Sequence, residues 1–200
     1  MKRTLFICLA GALSLAAQPP GMGWSREARA TGWFGAGGSA SINPIATRLD
    51  NVGWNIAGGA GVTSEYVGLM VDAMYNEFGV NRRTLNRAGA DDGRQRFWAF
   101  TLDPVFHTNQ RGPVDFYITG GGGIYGQQIS YRQRFASGNF GRDELIWRNT
   151  IYKAGVDGGV GFAYSIGGSR IKIIAEARFH HMFTSGSGAS FVPVTLGVSF

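Results

Sequence analysis

Seven ionisable side chains lie within segments of the chain that are otherwise apolar or rich in glycine. They are Asp72, Asp103, Lys153, Asp157, Lys172, Glu176 and Arg178. Because successive side chains of a strand point to opposite faces, their spacing places them opposite the large apolar residues. A buried charge needs a partner of opposite charge. The pattern therefore predicts a paired charge network inside the fold, with a narrow conducting path past it as the alternative.

A second set of reactive groups follows Glu176. His180 and His181 are adjacent, and serines stand at positions 185 and 187. Histidine, serine and a carboxylate are groups that hydrolytic enzymes combine. On a strand, however, the two histidines point to opposite faces, so at most one shares a face with Glu176. The three histidines of the chain also lack a metal-binding spacing. We therefore predict no catalytic site, no metal site and no cofactor.

Eight segments with a two-residue periodicity must position these charges. They cover residues 32–42, 52–64, 66–78, 94–108, 114–132, 150–166, 170–183 and 190–200. In the third, Val67, Leu69 and Val71 share one face, and Asp72 lies on the other. A slip of one residue would exchange the faces, so the pattern specifies the register. Glycine, at 32 of 200 residues, argues against long helices because each costs about 1 kcal/mol relative to alanine there.

The gaps between these segments alternate in length. Short turns lie at 64–65, 109–113 and 167–169, whereas longer connections cover 43–51, 79–93, 133–149 and 184–189. Barrels of the outer membrane have this asymmetry, with short periplasmic turns and longer external loops. A sheet in hydrocarbon must also close, because no backbone group can stay unpaired there. The sequence thus predicts an all-β fold, an eight-stranded antiparallel up-and-down transmembrane β-barrel over residues 31–200.

The N-terminus has the features of a secretory signal peptide. A basic start at Lys2 and Arg3 precedes an apolar run from Leu5 to Ala17. We predict a signal peptide over residues 1–17, with cleavage as late as Ala30 as the alternative. The only cysteine, at position 8, would leave with it. The formal charge of +6 would fall to +4 with the two basic residues, and nucleic acid is not expected as a partner of an exported chain.

These features resemble the small outer-membrane β-barrels of the OmpA/OmpX type, within the generic outer membrane protein β-barrel domain group. The resemblance is carried by the signal peptide, the alternating strands and the segments 120–125, 175–178 and 193–197. It implies a monomer in the cell outer membrane. It also implies an insertion signal, formed by Phe200, Val198 and Leu196, that the barrel-assembly machinery reads.

The resemblance implies several functions. The first is a role in envelope integrity or surface interaction, carried by the external loops and without enzymatic activity. A narrow porin-like channel for small solutes is the alternative, and a lipid A-modifying enzyme is a third reading. Besides membrane lipid, lipopolysaccharide is an expected partner, because arginine forks pair with phosphates. The candidate contacts in the long connections are Arg82, Arg83, Arg87, Arg132, Arg134 and Arg142.

Aromatic residues and glycines complete the expected barrel. Trp33, Trp54, Trp98 and Trp147 are predicted to lie in the two interfacial girdles, although some could fill the lumen instead. The glycines at 120–123 lie inside a strand and are not followed by a helix, so they are not a phosphate-binding loop. Glycines at such positions allow Tyr117 and Tyr125 to pack over bare backbone.

Overall fold

A computed structural model describes residues 28–42, 49–110, 112–135, 142–167, 169–184 and 188–200. The predicted signal peptide at 1–17 lies outside the described residues. The elements are β1 (Arg29–Ser41), β2 (Leu49–Thr63), β3 (Val67–Val80), α1 (Arg82–Ala88), β4 (Asp92–His107), β5 (Val114–Phe135), β6 (Arg142–Ser165), β7 (Lys172–Met182) and β8 (Ala189–Ser199). Since β1 begins at Arg29, cleavage after Ala30 would remove its first two residues.

The eight strands form a closed antiparallel barrel in sequence order, which confirms the predicted fold. Each strand pairs with the next, and β8 pairs with β1 to close the sheet. The closing seam extends to the last residue, because Gly32 N donates to Phe200 O at 3.0 Å and Phe200 N donates to Gly32 O at 2.9 Å. Short turns after β2, β4 and β6 lie at one end of the barrel, which we call the short-turn end.

The two faces of the sheet have the predicted polarity. In β3, Val67, Leu69 and Val71 point outward and are exposed, whereas Met70 and Asp72 point into the lumen and are buried. Elsewhere on the outer face Leu196 is 63% exposed. Large apolar side chains on the outside and charges on the inside reverse the pattern of a soluble protein. This reversal is the one that a barrel surrounded by lipid requires.

One level of the outer face carries aromatic side chains. Tyr75 on β3 pairs with Trp98 on β4, and Trp98 pairs with Gly126 on β5. Gly126 in turn pairs with Tyr152 on β6. The Trp98 and Tyr152 rings meet above Gly126 with centroids 5.9 Å apart, and Trp54 lies 5.4 Å from Tyr75. These residues match an interfacial girdle, which lies toward the end opposite to the short turns.

Two of the predicted long connections have regular structure. The loop predicted over 133–149 is wrong in part, because β5 continues to Phe135 and β6 begins at Arg142. The connection after β3 contains α1, which Asn81 caps by accepting a hydrogen bond from Thr84 N at 3.0 Å. Gly89 ends the helix in the left-handed conformation, at φ 63°. In the described part of the chain, no helix is long and apolar enough to cross a membrane.

The closing seam leads to a first testable prediction. Deleting Phe200 removes both hydrogen bonds to Gly32 and the ring that packs on that glycine. We therefore expect a smaller folded fraction, measured as the fast-migrating band of unboiled protein on a gel. Phe200→Tyr, which keeps the backbone and an aromatic ring, is the control and should fold normally. Normal assembly of the deletion variant would overturn the predicted insertion signal of Phe200, Val198 and Leu196.

Candidate functional site

The middle of the lumen holds a cluster of four carboxylates around one guanidinium. Arg178 Nη1 lies 2.9 Å from Asp72, 2.8 Å from Asp103 and 3.5 Å from Asp157, and Arg178 Nη2 lies 2.9 Å from Glu176. All five residues are buried. We call them the charge cluster. It holds more carboxyl groups than one arginine can neutralise.

Neighbouring strands hold these carboxyl groups in place. Trp33 Nε1 donates to Asp72 Oδ1 at 2.8 Å, and Tyr125 OH donates to Asp157 Oδ2 at 3.2 Å. Gly59 leaves room for the first of these contacts, since a Cβ there would lie 1.8 Å from Asp72 Oδ1. Trp33 therefore lies in the lumen, which was the alternative to the girdle position predicted for it.

The other two predicted network residues lie apart from the cluster. Lys153 is exposed, and the prediction that it joins the network is wrong. By its position in β6, Lys153 should point inward. However, the pairing between β6 and β7 ends at Gly155 and Met182, so in the described residues no β7 residue pairs with β6 at the level of Lys153. Lys172 lies near the short-turn end, where its Nζ donates to the backbone oxygen of Gln110.

Above the charge cluster, on the side of the long connections, three phenylalanines fill the lumen. Phe78, Phe97 and Phe191 have ring centroids 4.9–6.3 Å apart and are almost fully buried. We call them the aromatic plug. His180 stacks on Phe191 with centroids 5.2 Å apart.

The lumen has little free space beside the charge cluster. In the described part of the barrel, a cavity lined by Asp72, Glu176 and Arg178 of the charge cluster, together with Trp33, Met74 and His180, has a volume of about 20 Å³. That volume holds about one water molecule. The lumen is therefore filled at two successive levels. The plug was not predicted, although all three phenylalanines occupy inward-facing positions of their strands.

The two histidines occupy different environments. His180 points into the lumen, where its Nδ1 lies 3.0 Å from Tyr125 OH. His181 points outward between Phe179 and Phe183, and its Nδ1 lies 2.8 Å from Ser190 Oγ. The serines at 185 and 187 are outside the described residues. In the residues that are described, no group of three or more His, Cys, Asp or Glu could hold a metal ion.

Below the charge cluster the lumen widens into a cavity that we call the vestibule. It has a volume of about 750 Å³, is lined by residues from all the short turns and opens at the short-turn end. Asp72, Glu176 and Arg178 form its floor, and Arg29, Arg170 and Lys172 line its mouth. The vestibule was not foreseen, because the alternation pattern does not say how deeply a lumen is filled.

At the opposite end, β6 continues well past the last residue pair that it forms with β7. β6 pairs with β5 up to Arg142 and Phe135, with a register shift between Tyr131 and Arg132, and β4 flanks β5 as far as Arg132, whereas β7 ends opposite Gly155. We call residues 127–135 and 142–151 the projecting hairpin. In the described residues its β6 strand pairs only with β5, so the other edge of that strand is open. Leu145, Ile146 and Trp147 are 42–46% exposed there.

The candidate lipopolysaccharide contacts lie at the same end. Arg82, Arg83 and Arg87 are exposed on α1, which packs its one buried side chain, Leu85, toward Gly93. Arg132 belongs to β5 in the projecting hairpin and is partly buried. The side chains of residues 134 and 142 are outside the described residues. The three arginines of α1 therefore lie at the end of the long connections, as predicted, although the helix itself was not predicted.

Comparison with known proteins identifies the fold. Neisserial surface protein A has a TM-score of 0.57 at 12% identity, covering 86% of this chain and 97% of its own. A major outer membrane protein from Thermus thermophilus has a TM-score of 0.53 at 12% identity, covering 86% and 99%. Ail, the attachment invasion locus protein of Yersinia pestis, has a TM-score of 0.51 at 16% identity, covering 87% and 99%. The sequence matches no protein-family model and no curated protein. The fold is thus that of the small outer-membrane β-barrels.

Proposed function

We propose that this chain is a non-enzymatic, monomeric protein of the bacterial outer membrane that binds another protein through its projecting hairpin. The observation that carries the proposal is the open edge of β6 over residues 142–151. Such an edge presents N–H and C=O groups to which an extended segment can add as a further strand. The barrel below it would act as the membrane anchor, which agrees with its apolar outer face and filled lumen.

Side chains along this edge indicate what kind of segment would fit. Leu145, Ile146 and Trp147 expose apolar surface that an added strand would cover. Arg148 and Lys153 are exposed on the same strand and add positive charge. The partner that fits best is therefore an extended segment with alternating apolar and acidic side chains.

Backbone geometry offers a selective test of strand addition. Ala154 O, which points toward β7, accepts a hydrogen bond from Phe183 N at 3.0 Å. Because directions alternate along an antiparallel strand, the N–H of Thr150 points to the same side, at the open edge. Thr150→Pro removes this donor but leaves the ladder with β5 intact. We expect it to weaken, by about tenfold or more, the binding of peptides selected from a random library on the purified barrel.

Controls make this test specific. Thr150→Ala changes the same side chain but keeps the N–H, so it should bind the selected peptides like the unmodified protein. Both variants should show the same heat-dependent gel mobility. A selection that yields no peptide, or peptides that bind Thr150→Pro undiminished, would contradict the proposal.

The membrane anchor and the channel alternative are tested on one preparation. We expect the protein to fractionate with the outer membrane and to run faster on a gel before boiling than after. Because the charge cluster and the aromatic plug fill the lumen, planar bilayers should show no stepwise conductance. Reproducible conductance steps would favour the porin-like alternative, and recovery in the soluble periplasm would exclude the anchor.

Lipopolysaccharide is the second proposed partner, through the arginines of α1. Within the described residues Arg82, Arg83 and Arg87 form no ion pair, whereas Arg96 is engaged with Glu77 at 2.7 Å. Replacing the three α1 arginines with glutamine is expected to lower the amount of lipopolysaccharide that copurifies with the barrel. Unchanged copurification would count against this contact. The absence of a lipid A mass change on overexpression would support the non-enzymatic assignment.

A further inference from the structure

The vestibule has the dimensions of a ligand-binding site. Its volume of about 750 Å³ lies within the range of about 300–1,000 Å³ that small-molecule sites occupy, and the mouths of β-barrels are among the places where such sites occur. Residues of the charge cluster close it on one side, and the short turns leave it open on the other. A ligand could therefore enter from the short-turn end but could not pass through.

The wall of the vestibule is apolar and held rigidly. Met70, Val105, Tyr117 and Ile174 belong to one buried cluster, against which Trp33 packs. The hydrogen bond to Asp72 fixes the indole of Trp33. The phenol ring of Tyr117 lies over a glycine at position 161. Two oriented aromatic rings provide a surface for an apolar or aromatic ligand group.

Charges are distributed unequally between the two ends of this wall. Among the residues that the structure describes, three cationic side chains line the mouth: Arg29, Arg170 and Lys172. The two acidic residues that line the mouth already have partners. Glu65 takes part in another interaction, and Asp115 Oδ2 lies 2.7 Å from His107 Nδ1.

The floor has the opposite sign. Asp72 and Glu176 line it, with Asp103 and Asp157 in contact with the same Arg178, so four carboxyl groups face one guanidinium. The vestibule is thus positive at its mouth, apolar along its wall and rich in carboxylates at its floor.

We propose that the vestibule binds a small zwitterion, with an ammonium group at the floor, an apolar or aromatic middle and a carboxylate at the mouth. A short hydrophobic peptide that enters with its N-terminus first has this arrangement. Its ammonium group would meet the carboxylates of Asp72 and Glu176, and its side chains would lie against Trp33 and Tyr117. Its carboxylate would pair with Arg170 and Lys172. This inference does not depend on the projecting hairpin.

Calorimetric titration of the purified full barrel, in a non-ionic detergent, tests the proposal. The probes are the free tripeptide Leu-Phe-Leu, its N-acetyl form and its C-terminal amide. We expect saturable binding of the free peptide, with affinity lowered about tenfold or more by either modification, because each removes a charge-assisted contact. Absence of saturable binding, or equal binding of the N-acetyl form, would overturn the proposal.

A variant at the mouth tests the orientation. The double variant Arg170→Gln, Lys172→Gln should bind the free peptide about tenfold more weakly but bind the amide as the unmodified protein does. An equal loss for both peptides would overturn the assignment of the carboxylate to the mouth. Arg94→Gln, at the other end of the barrel, is the control and should leave both affinities unchanged. Ala163→Phe fills the vestibule and should abolish binding while the gel mobility still shows a folded barrel.

Discussion

Arg178→Met is expected to lower the free energy of unfolding by about 3–5 kcal/mol, the cost of removing one partner from a buried ion pair. Methionine preserves much of the length of the side chain, so the loss concerns charge rather than volume. Four carboxyl groups within 3.5 Å of the guanidinium would lose their common partner. The measurement is urea-induced unfolding of the barrel in lipid vesicles, followed by tryptophan fluorescence and by gel mobility.

The matched control removes a negative charge from the same cluster, whereas Arg178→Met removes the positive one. Asp157 has the longest contact with Arg178, at 3.5 Å, and it also accepts a hydrogen bond from Tyr125. Asp157→Asn keeps an oxygen for that hydrogen bond and removes one of the excess carboxylates. We therefore expect its stability to be equal to or higher than that of the unmodified protein. The charge cluster would not stabilise the fold as argued if Arg178→Met unfolded at the same urea concentration as the unmodified protein. The same conclusion would follow if Asp157→Asn were less stable than Arg178→Met.

The architecture of the barrel was predictable because its signal is local. Alternation with a period of two residues reports which face a side chain occupies, and it placed Asp72 and Arg178 on the inward faces of β3 and β7. Closure followed from a general requirement, since a sheet in lipid cannot keep an open edge. The structure confirms both the number of strands and their order.

How far each strand extends at the end of the barrel was not predictable in the same way. Whether a strand continues past the barrel depends on its pairing with a neighbour far away in the sequence. β6 extends to Arg142 because β5 supports it, whereas β7 ends opposite Gly155. The exposure of Lys153 follows from this difference in height and not from its parity. Residues 133–135 and 142–149 of the projecting hairpin were therefore predicted as a loop.

Other features were missed although the sequence contained signals for them. Asn81 and Gly89 flank seven residues with the start and stop signals of a helix, and the structure places α1 there. Phe78 and Phe97 have the inward parity of β3 and β4, so parity alone would have placed both rings in the lumen. Trp33 is different, because a tryptophan suits both a girdle and a lumen, and only the contact with Asp72 decides between them.

Gly161→Ala is expected to be the second most damaging substitution, with a loss of about 2–3 kcal/mol from overpacking. Tyr117 and Gly161 are register partners on β5 and β6, and the phenol ring lies directly over the glycine. A Cβ at position 161 would lie 2.0 Å from Tyr117 Cζ and 2.4 Å from its hydroxyl oxygen. The ring is buried and also contacts His107 at a centroid distance of 5.6 Å, so it cannot move without disturbing the wall of the vestibule.

Two comparisons distinguish this clash from a general intolerance of alanine in β6. Gly158, three residues earlier in the same strand, points outward, and a Cβ there would meet only Thr119 O at 3.8 Å. Gly158→Ala should therefore leave the urea midpoint unchanged. In a Tyr117→Ala background the ring is absent, so adding Gly161→Ala should cost little further stability, which gives a large coupling energy in the double-mutant cycle. Additive losses would mean that the methyl group is excluded by the backbone of β7 rather than by the ring.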